Sequence, residues 1–171
     1  MDFRLLLTEI PSGSGKDLYI REAGRSAEHF RSLLKLSLHE KDPFAWRAAW
    51  ILDGSDEKYP GMAVPHLHEI VRRLPGIRST GVIRSLLRML SRYEIPEEDQ
   101  GMLVDLCFGY MTSELYPVAI KVYAMQIIYN HVLLYPELKG ELRTVIEDQI
   151  VHNSAGFKSR GMRIIRNLEL L

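Results

Sequence analysis

The chain has one cysteine, no excess of either charge and no long apolar run. Each shortage excludes a class of protein. With Cys107 alone, no disulfide framework can form within the chain, and a reducing compartment is expected. Lys+Arg and Asp+Glu are 22 each, so the broad positive field of a dedicated nucleic-acid binder is missing. No run of about 18 apolar residues occurs, so no transmembrane helix is expected. The opening stretch Met1 to Glu9 is too charged, and its apolar part too short, for a signal peptide. These absences lead to the expectation of a cytoplasmic protein. Strand signals are also scarce, since no alternating run is bounded by Asn-Gly or Asp-Gly.

What the chain does have is a period. Trp46-Arg47, Ile83-Arg84, Ile120-Lys121 and Phe157-Lys158 each pair an apolar residue with a cation, and successive pairs lie 37 residues apart. A fixed period of this length marks stacked units, none of which can bury its own apolar face alone. The segments after each pair read as helices. Val118 to Ile128 is apolar on nearly all sides, as expected of a helix sandwiched between neighbours. More amphipathic helices lie between. One carries Val64, Leu67, Ile70, Val71 and Leu74 on a single stripe, and another carries Leu138, Leu142, Val145, Ile146 and Ile150.

Proline punctuates these helices. Tyr59-Pro60, Ile95-Pro96 and Tyr135-Pro136 separate units, because the residue before proline is driven out of helical conformation. Asp42-Pro43, Leu74-Pro75-Gly76 and Tyr116-Pro117 mark turns inside units, and Asn153 to Gly156 serves the last one. The pattern predicts about four helical hairpins: 26–39 with 44–57, 61–74 with 79–93, 97–112 with 117–134, and 137–152 with 157–170. A short leading helix is expected over 16–23, after a loop at Pro11 to Gly15. Residues 1–25 are read as an N-terminal cap and loop, and 26–171 as the repeat domain.

The stretch Asp42-Pro43-Phe44-Ala45-Trp46-Arg47-Ala48-Ala49 resembles the turn and second-helix start of a HEAT repeat. It has the Asp-Pro turn, the apolar residue, the cation and the small residues that let helices approach. Pro117 to Ala124 is similar, whereas Ser79 and Asn153 replace the aspartate in the other two units. The resemblance covers about residues 26–170 and extends to small, uncharacterised bacterial HEAT-like proteins. It implies an all-α, right-handed α-α superhelix, and no activity in particular.

The candidate chemical motifs are weak. Gly13-Ser14-Gly15-Lys16 has Ile10 where a phosphate loop needs its first glycine, and Asp17 where it needs Ser or Thr. His66 and His68 are two apart, so on a helix they point in different directions and do not share a metal. His29, His39, His131 and His152 form no ligand spacing. Cys107 sits among apolar residues, which suits packing better than thiolate chemistry. Glu97, Glu98 and Asp99 follow Pro96, where anions complement a helix N-terminus. No catalytic residue, cofactor site or metal site is assigned.

The recurring cations Arg47, Arg84, Lys121 and Lys158 are expected to form a structural ladder that joins neighbouring units, with Asp42 as an acidic partner. Arg84, Arg88 and Lys121, with Gln126 and Asn130, are polar positions on otherwise apolar helices, and are the candidate partner-binding residues. Arg160, Arg163 and Arg166 add charge to the last helix, where they read as the solvated side of a capping unit. Trp46, Trp50, Tyr123 and Tyr129 read as core filling. The expected function is a non-catalytic scaffold or adaptor that holds a protein or peptide on a concave face. The alternative is nucleic-acid binding in a basic groove, by resemblance to HEAT-like DNA glycosylases, although no catalytic carboxylate can be placed. An accessory subunit of a larger assembly is a third reading.

Overall fold

The computed structural model describes residues 7–8 and 14–171, and these contain helices and turns but no strand. The helices are α1 (Ser14–Gly24), α2 (Ala27–His39), α3 (Phe44–Lys58), α4 (Leu67–Arg73), α5 (Thr80–Leu90), α6 (Glu97–Thr112), α7 (Val118–Val132), α8 (Lys139–Ile150) and α9 (Ala155–Glu169). Short 3-10 turns at Val64–His66, Leu74–Gly76 and Pro136–Leu138 flank α4 and lead into α8. The four expected hairpins are present as α2/α3, α4/α5, α6/α7 and α8/α9. Contacts gather into two compact units, residues 1–93 and 94–171, each with two hairpins.

Local chemistry starts and stops these helices where the turn residues predict. Ser26 accepts a hydrogen bond from the His29 amide at 3.1 Å and caps α2. Ser79 caps α5 by accepting from the Val82 amide at 3.4 Å. Such a cap satisfies a backbone donor that has no partner within the helix. Glu97 and Glu98 occupy the first turn of α6, where their charge complements the dipole.

Several helix ends shift by one or two residues from the sequence reading, and three differences bear on the argument. Ser14 and Gly15 belong to α1 rather than to a loop, while Pro11 to Gly13 lie outside the described residues, as does most of the 1–10 cap. The first helix of the second hairpin starts late: Pro65 stands in a 3-10 turn, and the regular helix begins at Leu67. The second helix of that hairpin ends at Leu90, because Arg92 and Tyr93 reach back to acids on α3.

In the first unit α1 packs on α2 and α3, and α3 is sandwiched between α2 and α5. Phe30, Leu33 and Leu34 of α2 and Ile51 and Leu52 of α3 are fully buried. Gly81 lets α5 approach α3, since a β-carbon there would lie 2.8 Å from that of Trp46. In the second unit α6 packs on α7, and α9 packs on both α7 and α8. Leu103 and Cys107 of α6, Ile120 and Ile128 of α7, and Phe157 and Ile164 of α9 form its core. Gly161 of α9 meets Ile146 of α8 in the same way, 2.8 Å from where its β-carbon would stand. Truncating a core leucine of this kind costs about 2–5 kcal/mol.

Candidate functional site

The recurring cations do not share one environment. Arg47 is buried, and its Nη1 donates to the carbonyl oxygens of Leu7 at 2.8 Å and Thr8 at 2.9 Å. Lys121 is also buried, and its Nζ donates to Gln149 Oε1 at 3.3 Å, joining α7 to α8. Arg84 and Lys158 are exposed and form no hydrogen bond or ion pair with a described residue. Among the described residues Asp42 pairs with no cation. Its Oδ1 accepts from the Trp46 amide at 3.3 Å and from Ser79 Oγ at 3.0 Å, 37 residues on. The turn-to-turn link therefore runs through a hydroxyl, because a helix start needs an acceptor more than it needs charge.

Arg88, read from sequence as a partner-binding residue, is engaged within the first unit. Its Nη1 donates to Asp53 Oδ2 at 2.6 Å, and its Nη2 pairs with Glu57. Arg92 donates to Asp53 Oδ1 at 2.9 Å and to Asp56 Oδ2 at 2.8 Å. Tyr93 Oη donates to Asp56 Oδ1 at 2.6 Å, and the Ala63 amide donates to the same oxygen at 3.0 Å. Asp56 is fully buried, with every contact supplied by the protein. Desolvation alone would lower the Arg88 pKa, but the hydrogen bonds to Asp53 and Glu57 outweigh it and raise the value. In Arg92 the pairs with Asp56 and Asp53 likewise overcome desolvation. The Arg88 hydrogen bond in turn holds the Glu57 carboxyl below its ordinary value.

This network was missed in the sequence, although a signal exists. Asp53, Asp56 and Glu57 are spaced i, i+3, i+4 and so share one face of α3, and Arg88 and Arg92 share one face of α5. The 37-residue register sets Arg88 opposite Ile51, and the long guanidinium stem reaches two residues further, to Asp53.

The second unit treats its arginines differently. Between α7 and α9 lies a concavity of about 490 Å³, lined by Val118, Val122 and Tyr123 on one side and Arg160, Arg163 and Arg166 on the other. No carboxylate lines it. Arg160 Nη1 donates to Gln126 Oε1 at 2.9 Å, and Gln126 Nε2 donates to Asn130 Oδ1 at 2.9 Å. Two of the sequence candidates, Gln126 and Asn130, are thus joined and brought to the edge of this groove. Arg163 and Arg166 are exposed and have no hydrogen-bond or ion-pair partner among the described residues. Desolvation, then repulsion from Arg163, lowers the Arg160 pKa. A further concavity of about 510 Å³, at the turns of the first unit, mixes Glu40 and Asp42 with Lys41, Arg73 and Arg78, so its charges balance.

Four of the other candidates are held within the fold. Cys107 is fully buried, and burial pushes its thiol pKa upward, away from the thiolate. His131 is buried with Nδ1 2.8 Å from the Ile127 carbonyl oxygen. His66 stacks on Phe30 at 5.9 Å between ring centres. Lys16, from the phosphate-loop-like tetrapeptide, lies in α1 with Nζ 4.1 Å from the Trp50 ring centre.

Helical hairpins at a 37-residue period, joined by small residues and polar turns, define a stacked-repeat protein. The HEAT repeat domain family matches residues 7–168, so the chain belongs to that family. No curated protein and no solved structure is significantly similar to it.

Proposed function

We propose that the protein is a non-catalytic scaffold, which presents the second helices of its hairpins to a protein or peptide partner. The observation that carries this reading is the α7/α9 groove, an open concavity in which two exposed cations, Arg163 and Arg166, have no partner among the described residues. HEAT repeats in general serve interaction rather than catalysis, which supports the same reading. The titratable groups described above are paired within the fold, buried in apolar surroundings, or cationic in the groove. None forms a nucleophile–base pair or an acid–base pair. No helix among the described residues is long and apolar enough to cross a membrane, which fits a cytoplasmic partner. Within the 1–25 segment, α1 serves as a cap on the first hairpin, where Ser55 Oγ of α3 donates to the Ile20 carbonyl oxygen of α1 at 3.0 Å.

The test is affinity capture by the tagged full chain from lysate of its own cells, with and without nuclease. A stoichiometric protein that survives nuclease supports the scaffold. Recovery of nuclease-sensitive material alone replaces it with the nucleic-acid reading.

A further inference from the structure

Arg160, Arg163 and Arg166 carry three positive charges into one groove, and no acid of the groove answers them. The fold draws one side-chain hydrogen bond from the three, that of Arg160 to Gln126. Arg160 is bonded only to a neutral amide, and the two exposed arginines contact no described acceptor. Like charges held together without partners destabilise a folded chain, so their use lies outside it. The opposite wall is apolar at Val118 and Val122, with Tyr123 beside them.

Register sharpens the point. α3 and α7 are offset by 74 residues, two repeat lengths, from Phe44 to Val118. The same offset carries Arg92 onto Arg166, Asp53 onto Ile127 and Asp56 onto Asn130. The acids that neutralise Arg92 in the first unit are thus an isoleucine and an asparagine in the second. One cation position recurs, and its internal partners do not.

We propose that the α7/α9 groove binds a short acidic segment of a partner protein, whose carboxylates pair with Arg163 and Arg166 and whose apolar side chains rest on Val118, Val122 and Tyr123. This rests on the scaffold reading and names the chemistry of its partner. Guanidinium groups match carboxylates through paired N–H donors. Arg160 to Arg166 spans six residues of helix, about 9 Å. About three residues of extended chain cover that distance. The apolar wall suits side chains of a peptide better than a phosphate backbone. A duplex also presents one charge per about 1.7 Å, more than the two exposed arginines of this groove can answer.

The test pans a displayed random dodecapeptide library on the full-length protein and on its Arg163→Glu/Arg166→Glu variant. Because both side chains are exposed and unbonded, the variant keeps the wild-type melting temperature. The expected result is a set of peptides rich in Asp and Glu. They bind the wild type about tenfold or more tightly than the variant. Arg163→Lys/Arg166→Lys retains part of the affinity, since charge stays but the paired geometry is lost. Selected peptides without acidic enrichment, or equal affinity for both chains, overturn the proposal. So does stronger binding of a fluorescein-labelled DNA duplex that the charge reversal abolishes, or a concentration-dependent mass that it abolishes, which would make the occupant a second copy. Lysate capture separates the two readings. A nuclease-resistant partner held equally by the variant keeps the scaffold and removes this groove. No captured partner removes the scaffold, and the library result then stands alone for the groove.

Discussion

The α3/α5 interface of the first unit and the α7/α9 groove of the second occupy the same repeat positions and handle arginine in opposite ways. In the first, Arg88 and Arg92 are tied to Asp53, Asp56 and Glu57, and the charge is consumed in joining two hairpins. In the second, Arg160 bonds only the Gln126 amide, and Arg163 and Arg166 are exposed beside an apolar wall. A cation in a repeat protein therefore has no fixed meaning. What separates a strut from a docking group is whether the neighbouring helix supplies an acid.

That contrast can be attacked first through Arg92. Arg92→Ala leaves the buried Asp56 without its cation, while Asp53 keeps Arg88, and the expected loss is about 3–5 kcal/mol. Trp46 and Trp50 are the only tryptophans, and both sit on α3. Urea unfolding followed by tryptophan fluorescence therefore reads the first unit alone. A loss under about 1 kcal/mol would show that the network is decorative.

Arg88→Ala should cost less, about 1.5–3 kcal/mol by the same measurement. Its side chain is 33% exposed, and Asp53 keeps Arg92. A cost equal to that of Arg92→Ala would mean the two arginines act as one unit.

Asn130→Asp places in the second unit the acid that the first unit has at Asp56. It should draw Arg166 inward and weaken acidic-peptide binding several-fold, roughly 1 kcal/mol. Titration of a labelled selected peptide measures this, and unchanged affinity would break the register argument.

Arg163→Ala and Arg166→Ala should leave thermal stability within about 0.5 kcal/mol of the wild type, since neither side chain has a partner to lose. A melting curve that falls as far as for Arg92→Ala would erase the distinction between the two units.

The smallest effect is one of pH, in the first unit only. Burial against Phe30 lowers the His66 pKa below its ordinary 6.5, with Glu69 opposing and Arg31 assisting. The folded state then binds its proton less readily than the unfolded chain. Stability from this residue is complete above 6.5 and is lost as pH falls through that value. His66→Gln should flatten that part of the tryptophan-monitored profile.

Much of the architecture was legible. The 37-residue spacing and the prolines at 43, 60, 96, 117 and 136 place all four hairpins, because turn chemistry and apolar periodicity act within a few residues. The errors fell where distant groups intervene. The α5 helix stops at Leu90 rather than continuing to Tyr93, since Arg92 and Tyr93 bond across to Asp53 and Asp56. Along the chain, Arg88 reads as a docking residue because it is a polar position on an otherwise apolar helix. Arg163 and Arg166 were read as solvating a terminal helix, because nothing along the chain shows that Val118 and Val122 stand opposite.

Taken alone, the amino-acid order determined the repeat, most helix ends, most of each buried stripe and the burial of Cys107. Those depend on periodicity and on capping, which are local. Only the tertiary structure decided which of the cations are joined to the fold and which are open to a partner. That depends on what a neighbouring helix, some 35 residues away in sequence, places within hydrogen-bonding reach of each guanidinium.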